Sequence, residues 1–96
     1  TPFVPKNYHS SWAQFSILAN DKEERKKILD KLSFEKIPTS VFYSIPLHMQ
    51  EVFKNLNYKK GSLPIVEDIS NRIFSIPMHP YLDANDQNKI IEILNR

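Results

Sequence analysis

Residues 37–50 read Ile-Pro-Thr-Ser-Val-Phe-Tyr-Ser-Ile-Pro-Leu-His-Met-Gln. Residues 39–43 predict a β-strand, in which Thr39, Val41 and Tyr43 point to one face and Ser40 and Phe42 to the other. Pro46 follows and introduces a short helix, whose apolar stripe is predicted to contain Met49, Val52, Phe53 and Leu56. The segment therefore predicts a strand, a proline turn and a helix in succession.

A candidate site lies where this strand meets this helix. Phe42 and Tyr43 end the predicted strand, and His48 stands in the first turn of the predicted helix. Side chains at such junctions often converge on a ligand. The residues alone also allow a structural interpretation, in which Phe42 belongs to the core, Tyr43 is half-buried and His48 caps the helix.

Further elements are predicted on both sides. Residues 12–18 alternate and predict a first strand, and Asn20 with Glu23 predicts a capping box for the helix after it. That helix should end near Lys36, because Pro38 disfavours the α conformation in the residue before it.

The second half of the chain adds two helices and a strand. Ser62 and Pro64 predict the start of a helix with Ile65, Val66 and Ile69 buried, residues 73–76 predict a third strand, and Asp83 predicts the cap of the last helix. In that last helix Gln87, Ile90, Ile91 and Leu94 should face inward. The order of elements predicts a two-layer α/β (α+β) domain, with three strands covered by helices.

Composition excludes several functional classes. A net charge of +2 is too weak to favour nucleic acid or an anionic membrane as a partner, and no apolar run approaches the length of a membrane span. The chain has no cysteine, and His9, His48 and His79 are not at metal-ligand spacing, so no metal site is expected. With one glycine and no nucleophile elbow, the chain is not expected to be a free-standing catalyst. Its first residue, Thr1 rather than Met, favours a piece of a longer protein.

Four motifs in order resemble one known family. Residues 37–50 resemble the "IPT-x-V-x-Y-x-x-PLH-x-Q" segment of the DegT/DnrJ family of sugar aminotransferases. Residues 11–17 are similar to its "S-x-W-A-Q-Y-x-I" strand, residues 57–67 to its "GYKEG-x-x-P-x-x-E" loop, and residues 75–82 to its "S-L-P-M-H-P-x-L" turn. The resemblance covers nearly the whole chain.

The resemblance implies that residues 1–96 form the C-terminal small domain of a larger enzyme with the aspartate-aminotransferase-type fold. Residues 1–11 would be a lead-in from the large domain, and the sheet would be short, three-stranded and mostly antiparallel. The cofactor lysine would lie upstream, in a motif that is absent here. We therefore expect no catalytic or cofactor-binding residue in this chain, no pyridoxal phosphate bound to it alone, and no activity of the chain by itself.

The implied parent enzyme is a cytoplasmic, pyridoxal-phosphate-dependent homodimer. It would transfer an amino group, usually from glutamate, to a nucleotide-linked keto sugar in amino-sugar and surface-polysaccharide biosynthesis. Pyridoxal phosphate supplies the electron sink for such chemistry, and the protein positions the substrate. A dehydratase or sensor member of the same family is an alternative, and an unrelated small binding module is another.

The resemblance also assigns the candidate site. Tyr43 and His48 are the predicted contacts to the sugar substrate, and Phe42 is predicted to line the pocket. Position 42 is often His or Tyr in relatives, so a polar contact from Phe42 is not expected here. Asn57 stands where relatives often have Gly, and Asn tolerates the left-handed conformation of a helix end.

Overall fold

The computed structural model describes residues 1–96 and builds the domain around a short antiparallel sheet. Strand β1, Phe15–Leu18, pairs with strand β2, Ile73–Ile76. Ser16 lies opposite Ser75, and their hydroxyl oxygens are 2.8 Å apart. The antiparallel direction agrees with the prediction.

The strand predicted at residues 39–43 is wrong, whereas the one predicted at residues 73–76 is present as β2. Of residues 39–43 only Ser40 pairs with the sheet, through a bridge to Ser75 in which N–H and C=O are exchanged at 3.1 and 2.7 Å. Pro38 has no N–H to donate on one side of this bridge, and the chain turns at Phe42 on the other. The segment therefore lies along the free edge of β2 without extending the ladder, and the sheet has two strands.

Strand β1 also starts later than predicted. Trp12 has a φ of 50°, in the left-handed region, which a strand cannot contain. The Trp12 ring stacks on Phe15, with centroids 5.5 Å apart, and the Trp12 backbone N–H donates to Ser10 Oγ. The pairing with β2 begins only at Phe15.

The N-cap of helix α1, Lys22–Phe34, lies one residue later than predicted. Asp21 is the N-cap, because its Oδ1 accepts the Glu24 N–H at 2.7 Å. The Glu24 carboxylate accepts from the N–H of Asn20, the residue before the N-cap, so the predicted pairing of Asn20 with Glu23 is replaced by contacts of Glu24.

The connection after Pro46 is not the predicted α-helix. It consists of two 3₁₀ helices, Leu47–Met49 and Glu51–Leu56, separated by an extended Gln50. Val52, part of the predicted apolar stripe, is 72% exposed, so there is little burial to stabilise an α-helix here. Asn57 ends the second 3₁₀ helix with a φ of 59°, in the left-handed conformation expected for it.

The last two helices flank β2. Helix α2, Pro64–Arg72, runs directly into β2, and helix α3, Ala84–Asn95, is capped by Asp83 as predicted. The predicted cap Ser62 is wrong for α2, since Leu63 occupies the N-cap position and Ser62 Oγ instead accepts from Lys59 N–H.

One face of the sheet carries the core. Ala19, Leu32, Phe74 and Ile93 form a buried cluster between the sheet, α1 and α3. The inward faces predicted for α2 and α3 are partly wrong: Ile65 is 76% and Ile91 53% exposed, and Ile93 is buried instead. No helix combines the length and apolarity that crossing a membrane requires.

Candidate functional site

The candidate site is built on the loop that leaves the sheet after Ser40. Ser40 is tied to β2 by both of its backbone hydrogen bonds, so the loop starts from a fixed point. Phe42 and Tyr43 follow at once, with their rings edge to face and their centroids 5.8 Å apart. Their side chains project outward, since Phe42 is 40% and Tyr43 71% exposed. The fold therefore presents an aromatic pair at the sheet edge.

The aromatic pair lines one side of an open groove of about 580 Å³ between the loop and α2. Most of its wall is apolar, and none of its lining side chains is charged. The polar groups available in it are the hydroxyls of Tyr43 and Ser70 and the amide of Gln50. Its apolar wall is formed by Phe42, Ile45, Pro46, Leu47, Val66, Ile69 and Ile73.

His48 does not line this groove. Its side chain is only 5% exposed, and its Nε2 lies 3.0 Å from Glu67 Oε1 on α2. The imidazole also packs edge to face on Tyr58, with ring centroids 5.9 Å apart. Of the three predicted site residues, the structure thus brings Phe42 and Tyr43 together and places His48 in a buried polar contact behind them.

Glu67 belongs to the site although it was not among the predicted site residues, since neighbouring carboxylates on a helix usually face solvent. Its carboxylate accepts hydrogen bonds from the backbone N–H of Gly61 at 2.9 and 2.7 Å, and from that of Leu63 at 3.2 Å. The Gly61 N–H, followed by His48, holds the pKa of Glu67 below its ordinary value. The available signal was the final Glu of the third motif, three residues after the proline that starts α2.

Asp68, the neighbour of Glu67, has a different environment. It forms an i,i+4 ion pair with Arg72, and this hydrogen bond lowers the pKa of Asp68 and raises that of Arg72. Arg72 Nη1 also donates to the Ala19 carbonyl at 3.0 Å, which ties α2 to the end of β1. Glu67 therefore contacts the site loop through His48, while Asp68 pairs with Arg72 on another side of the helix.

Comparison with known proteins places this architecture in a family. The model of the DegT/DnrJ/EryC1/StrS aminotransferase family matches residues 1–95. The chain belongs to this family. Membership excludes the alternative of an unrelated binding module.

Two relatives illustrate the range of named functions in the family. The chain is 36% identical over 89 residues to a "Pleiotropic regulatory protein" of Geobacillus stearothermophilus, which covers 93% of this chain and 23% of that protein. It is 34% identical over 84 residues to a "UDP-2-acetamido-2-deoxy-3-oxo-D-glucuronate aminotransferase" of Pseudomonas aeruginosa, covering 88% of this chain and 22% of the relative.

A solved structure agrees with the fold. The chain superposes with a TM-score of 0.85 and 40% identity on a DegT DnrJ EryC1 StrS aminotransferase from Brucella abortus, covering 98% of this chain and 24% of that one. The domain thus has the fold of one part of an aminotransferase, and it spans about a quarter of the length of the relatives it matches.

Proposed function

We propose that this chain is the C-terminal small domain of a pyridoxal-phosphate-dependent aminotransferase. The whole enzyme would transfer an amino group from an amino acid, with glutamate as the favoured donor, to a nucleotide-linked keto sugar. Residues 1–11 would connect to the cofactor domain, and the whole enzyme would act as a cytoplasmic homodimer. The chain spans about a quarter of its relatives, which leaves ample length for a cofactor domain.

The observation that carries this proposal is the aromatic pair at the rim of an uncharged groove, in a chain of this family. A sugar ring offers an apolar face and a ring of hydroxyls, and sites for such ligands combine apolar walls with a few placed polar groups. Phe42 supplies a wall that keeps water off the bound sugar, and the Tyr43 hydroxyl supplies a hydrogen-bonding group beside it. His48 was predicted as a further contact, and its buried position supports a role behind the loop.

The groove beside Tyr43 lacks the groups that would hold pyridoxal phosphate. No lysine lines the groove beside Tyr43, and no cation there could hold the phosphate. The only glycine, Gly61, stands alone, so there is no glycine-rich phosphate cradle. We therefore assign cofactor binding to the remainder of the enzyme and substrate positioning to this domain.

The test uses the full-length protein. It is incubated with pyridoxal phosphate, glutamate and a panel of UDP- and dTDP-linked keto sugars, and products are followed by mass spectrometry. We expect an amino sugar and 2-oxoglutarate in equal amounts, formed only when the cofactor is present. Loss of a hydroxyl from the sugar without nitrogen uptake would replace the proposal by dehydration.

A regulatory function is the second candidate, favoured by the name of the Geobacillus relative. The residue at the position of the cofactor lysine in the full-length protein distinguishes amino transfer from dehydration. A lysine there favours amino transfer and a histidine favours dehydration. Tight nucleotide-sugar binding without any turnover would favour a sensor.

A further inference from the structure

We propose that Glu67 is a positioning residue, which acts through His48 to hold the Phe42–Tyr43 loop in place for the sugar substrate. This inference rests on the proposed function and adds to it a pair of residues that do not line the groove. The inference follows from the contacts that hold the two ends of the loop, Ser40 with Ser75 and His48 with Glu67.

The Glu67 carboxylate joins separate segments of the chain. It accepts from the N–H groups of Gly61 and Leu63, which fixes the loop before α2, and it bonds His48 from the first 3₁₀ helix. The side chains of His48 and Glu67 are 5% and 15% exposed, so water competes little for this contact. Hydrogen bonds to a carboxylate are stronger than those between neutral groups.

The loop that carries the aromatic pair is held at both ends. At its start, Ser40 is bonded to Ser75 of β2. At its end, the Met49 N–H donates to the Pro46 carbonyl at 2.9 Å and closes the turn that contains His48. Between these points the structure gives the loop no backbone hydrogen bond to another element. The His48–Glu67 contact is therefore the polar link that fixes the second end, and cutting it should let the aromatic pair move.

A contact that only stabilises the fold would behave differently from one that positions the loop. Loss of a purely stabilising contact lowers the melting temperature and leaves the affinity of the folded fraction for sugar unchanged. Loss of a positioning contact raises KM for the sugar in protein that is still folded, because Tyr43 is no longer held in its binding position before the sugar arrives. The amino-donor half of the reaction does not use this loop and should keep its rate.

Asp68 provides a matched control. It is the next residue on α2, has the same charge, and is also hydrogen-bonded, but to Arg72 rather than to the site loop. Asp68→Ala removes a carboxylate and an ion pair from the same helix while leaving the His48 contact intact. Glu67→Gln is the conservative variant, since its amide oxygen can still accept from Gly61 and Leu63.

The experiment measures KM and kcat of the full-length enzyme with the nucleotide-linked keto sugar that the wild type uses. We expect Glu67→Ala to raise KM by about tenfold, equivalent to one strong hydrogen bond, with a much smaller change in kcat. Glu67→Gln should lie between Glu67→Ala and the wild type, and Asp68→Ala should match the wild type. Hydrogen exchange should be faster at the Met49 and Gln50 amides, whose N–H groups close the turn that contains His48, in Glu67→Ala but not in Asp68→Ala.

A second variant covers the case in which Glu67→Ala does not fold. His48→Leu preserves much of the buried volume and removes the donor, so it should raise KM by a similar factor. The double variant Glu67→Gln/His48→Leu should be no worse than His48→Leu alone, because both changes cut the same link.

The inference is overturned if the folded variants at Glu67 and His48 keep the wild-type KM, or if the exchange of the Met49 and Gln50 amides does not change. Additive effects of the two substitutions would also contradict it, since they would indicate independent roles. A wild-type enzyme that converts none of the sugars would refute the proposed function itself, before any variant is compared.

Discussion

At the scale of single residues, Glu67 has the most connected side chain of the site. Its folded-state pKa lies below the ordinary value of 4.5, first because the Gly61 N–H donates to it and second because His48 does. A carboxyl group whose pKa is lowered by folding stabilises the fold above its unfolded pKa. That contribution is lost as the pH falls through the folded pKa.

We therefore expect the free energy of unfolding of this chain to fall as the pH drops below about 5, partly through Glu67. Glu67→Gln cannot titrate, so its profile should be flatter over this window in urea titrations at a series of pH values. Asp68→Asn is the comparison, because the ordinary pKa of Asp68 is 3.8 and its effect should begin at lower pH. Parallel profiles for Glu67→Gln and the wild type would show that the carboxylate does not stabilise the fold.

Local contacts such as the Asp83 cap could be predicted from the sequence, whereas the contact of Glu67 with His48 could not. Asp83 was predicted correctly as a cap because its partner, the Asp86 N–H, is three residues away and the pattern is local. The contact of Glu67 with His48 spans 19 residues, and no local pattern encodes it. Glu67 was therefore not among the predicted site residues, although it belongs to the site.

At the scale of elements, the end of α1 depends on a left-handed residue that is not glycine. Lys36 has a φ of 60°, and its N–H donates to the Ser33 carbonyl at 3.0 Å while the Ile37 N–H donates to Leu32 at 2.9 Å. These two bonds form a Schellman motif, in which glycine is usually preferred. Ile37 packs against the core cluster that contains Leu32, so the backbone is held in this conformation.

Lys36→Gly should therefore stabilise the domain, by about 0.5–1 kcal/mol, because glycine adopts a positive φ without steric cost. Lys31→Gly, in the interior of the same helix, should destabilise it by about 1 kcal/mol. Urea unfolding of the two variants measures both signs. A destabilised Lys36→Gly would mean that the entropy gained by the unfolded chain outweighs the strain that is removed.

The main errors of prediction concern two elements, the strand at residues 39–43 and the helix after Pro46. The residues from Thr39 to Tyr43 predict an extended backbone, but they do not indicate whether a partner strand is available along its length. Ser40 finds its partner and the chain then turns at Phe42, so an extended segment appears where a strand was predicted. In the same way, apolar residues at helical spacing did not produce an α-helix after Pro46, since the predicted stripe is not buried.

At the scale of the whole molecule, a large amount of apolar surface is exposed. Phe3 and Phe34 are each 86% and Tyr81 89% exposed. An open cleft of about 460 Å³ between the sheet and α3 is lined mainly by apolar side chains, including Trp12, Phe15 and Ile90. Apolar patches of this kind usually mark contact surfaces.

We expect the 96-residue chain on its own to self-associate at micromolar concentration. Sedimentation velocity across a concentration series should show a rising average mass, and Phe3→Ser should reduce the association by removing one exposed ring. A monomer at all concentrations would contradict the expectation and would indicate that the apolar side chains are too scattered to form an interface.

The family was predictable from sequence because four motifs lie in the expected order, and the match over residues 1–95 confirms it. The arrangement within the site was not predictable in the same way. Phe42, Tyr43 and His48 are close in sequence, but adjacent positions in a turning loop point in different directions. Only the three-dimensional fold separates an exposed aromatic pair from the buried imidazole behind it.

If this domain presents Tyr43 to the sugar of a nucleotide-linked keto sugar, the Tyr43 hydroxyl should matter only to the sugar half-reaction. Stopped-flow measurement of the two half-reactions in the full-length enzyme, for wild type and Tyr43→Phe, tests this role. Tyr43→Phe keeps the ring and removes only the hydroxyl, so we expect about a 5- to 150-fold loss of catalytic efficiency with the sugar, equivalent to roughly 1–3 kcal/mol. The half-reaction with the amino donor should be unchanged. Equal rates with the sugar for wild type and Tyr43→Phe would contradict the account.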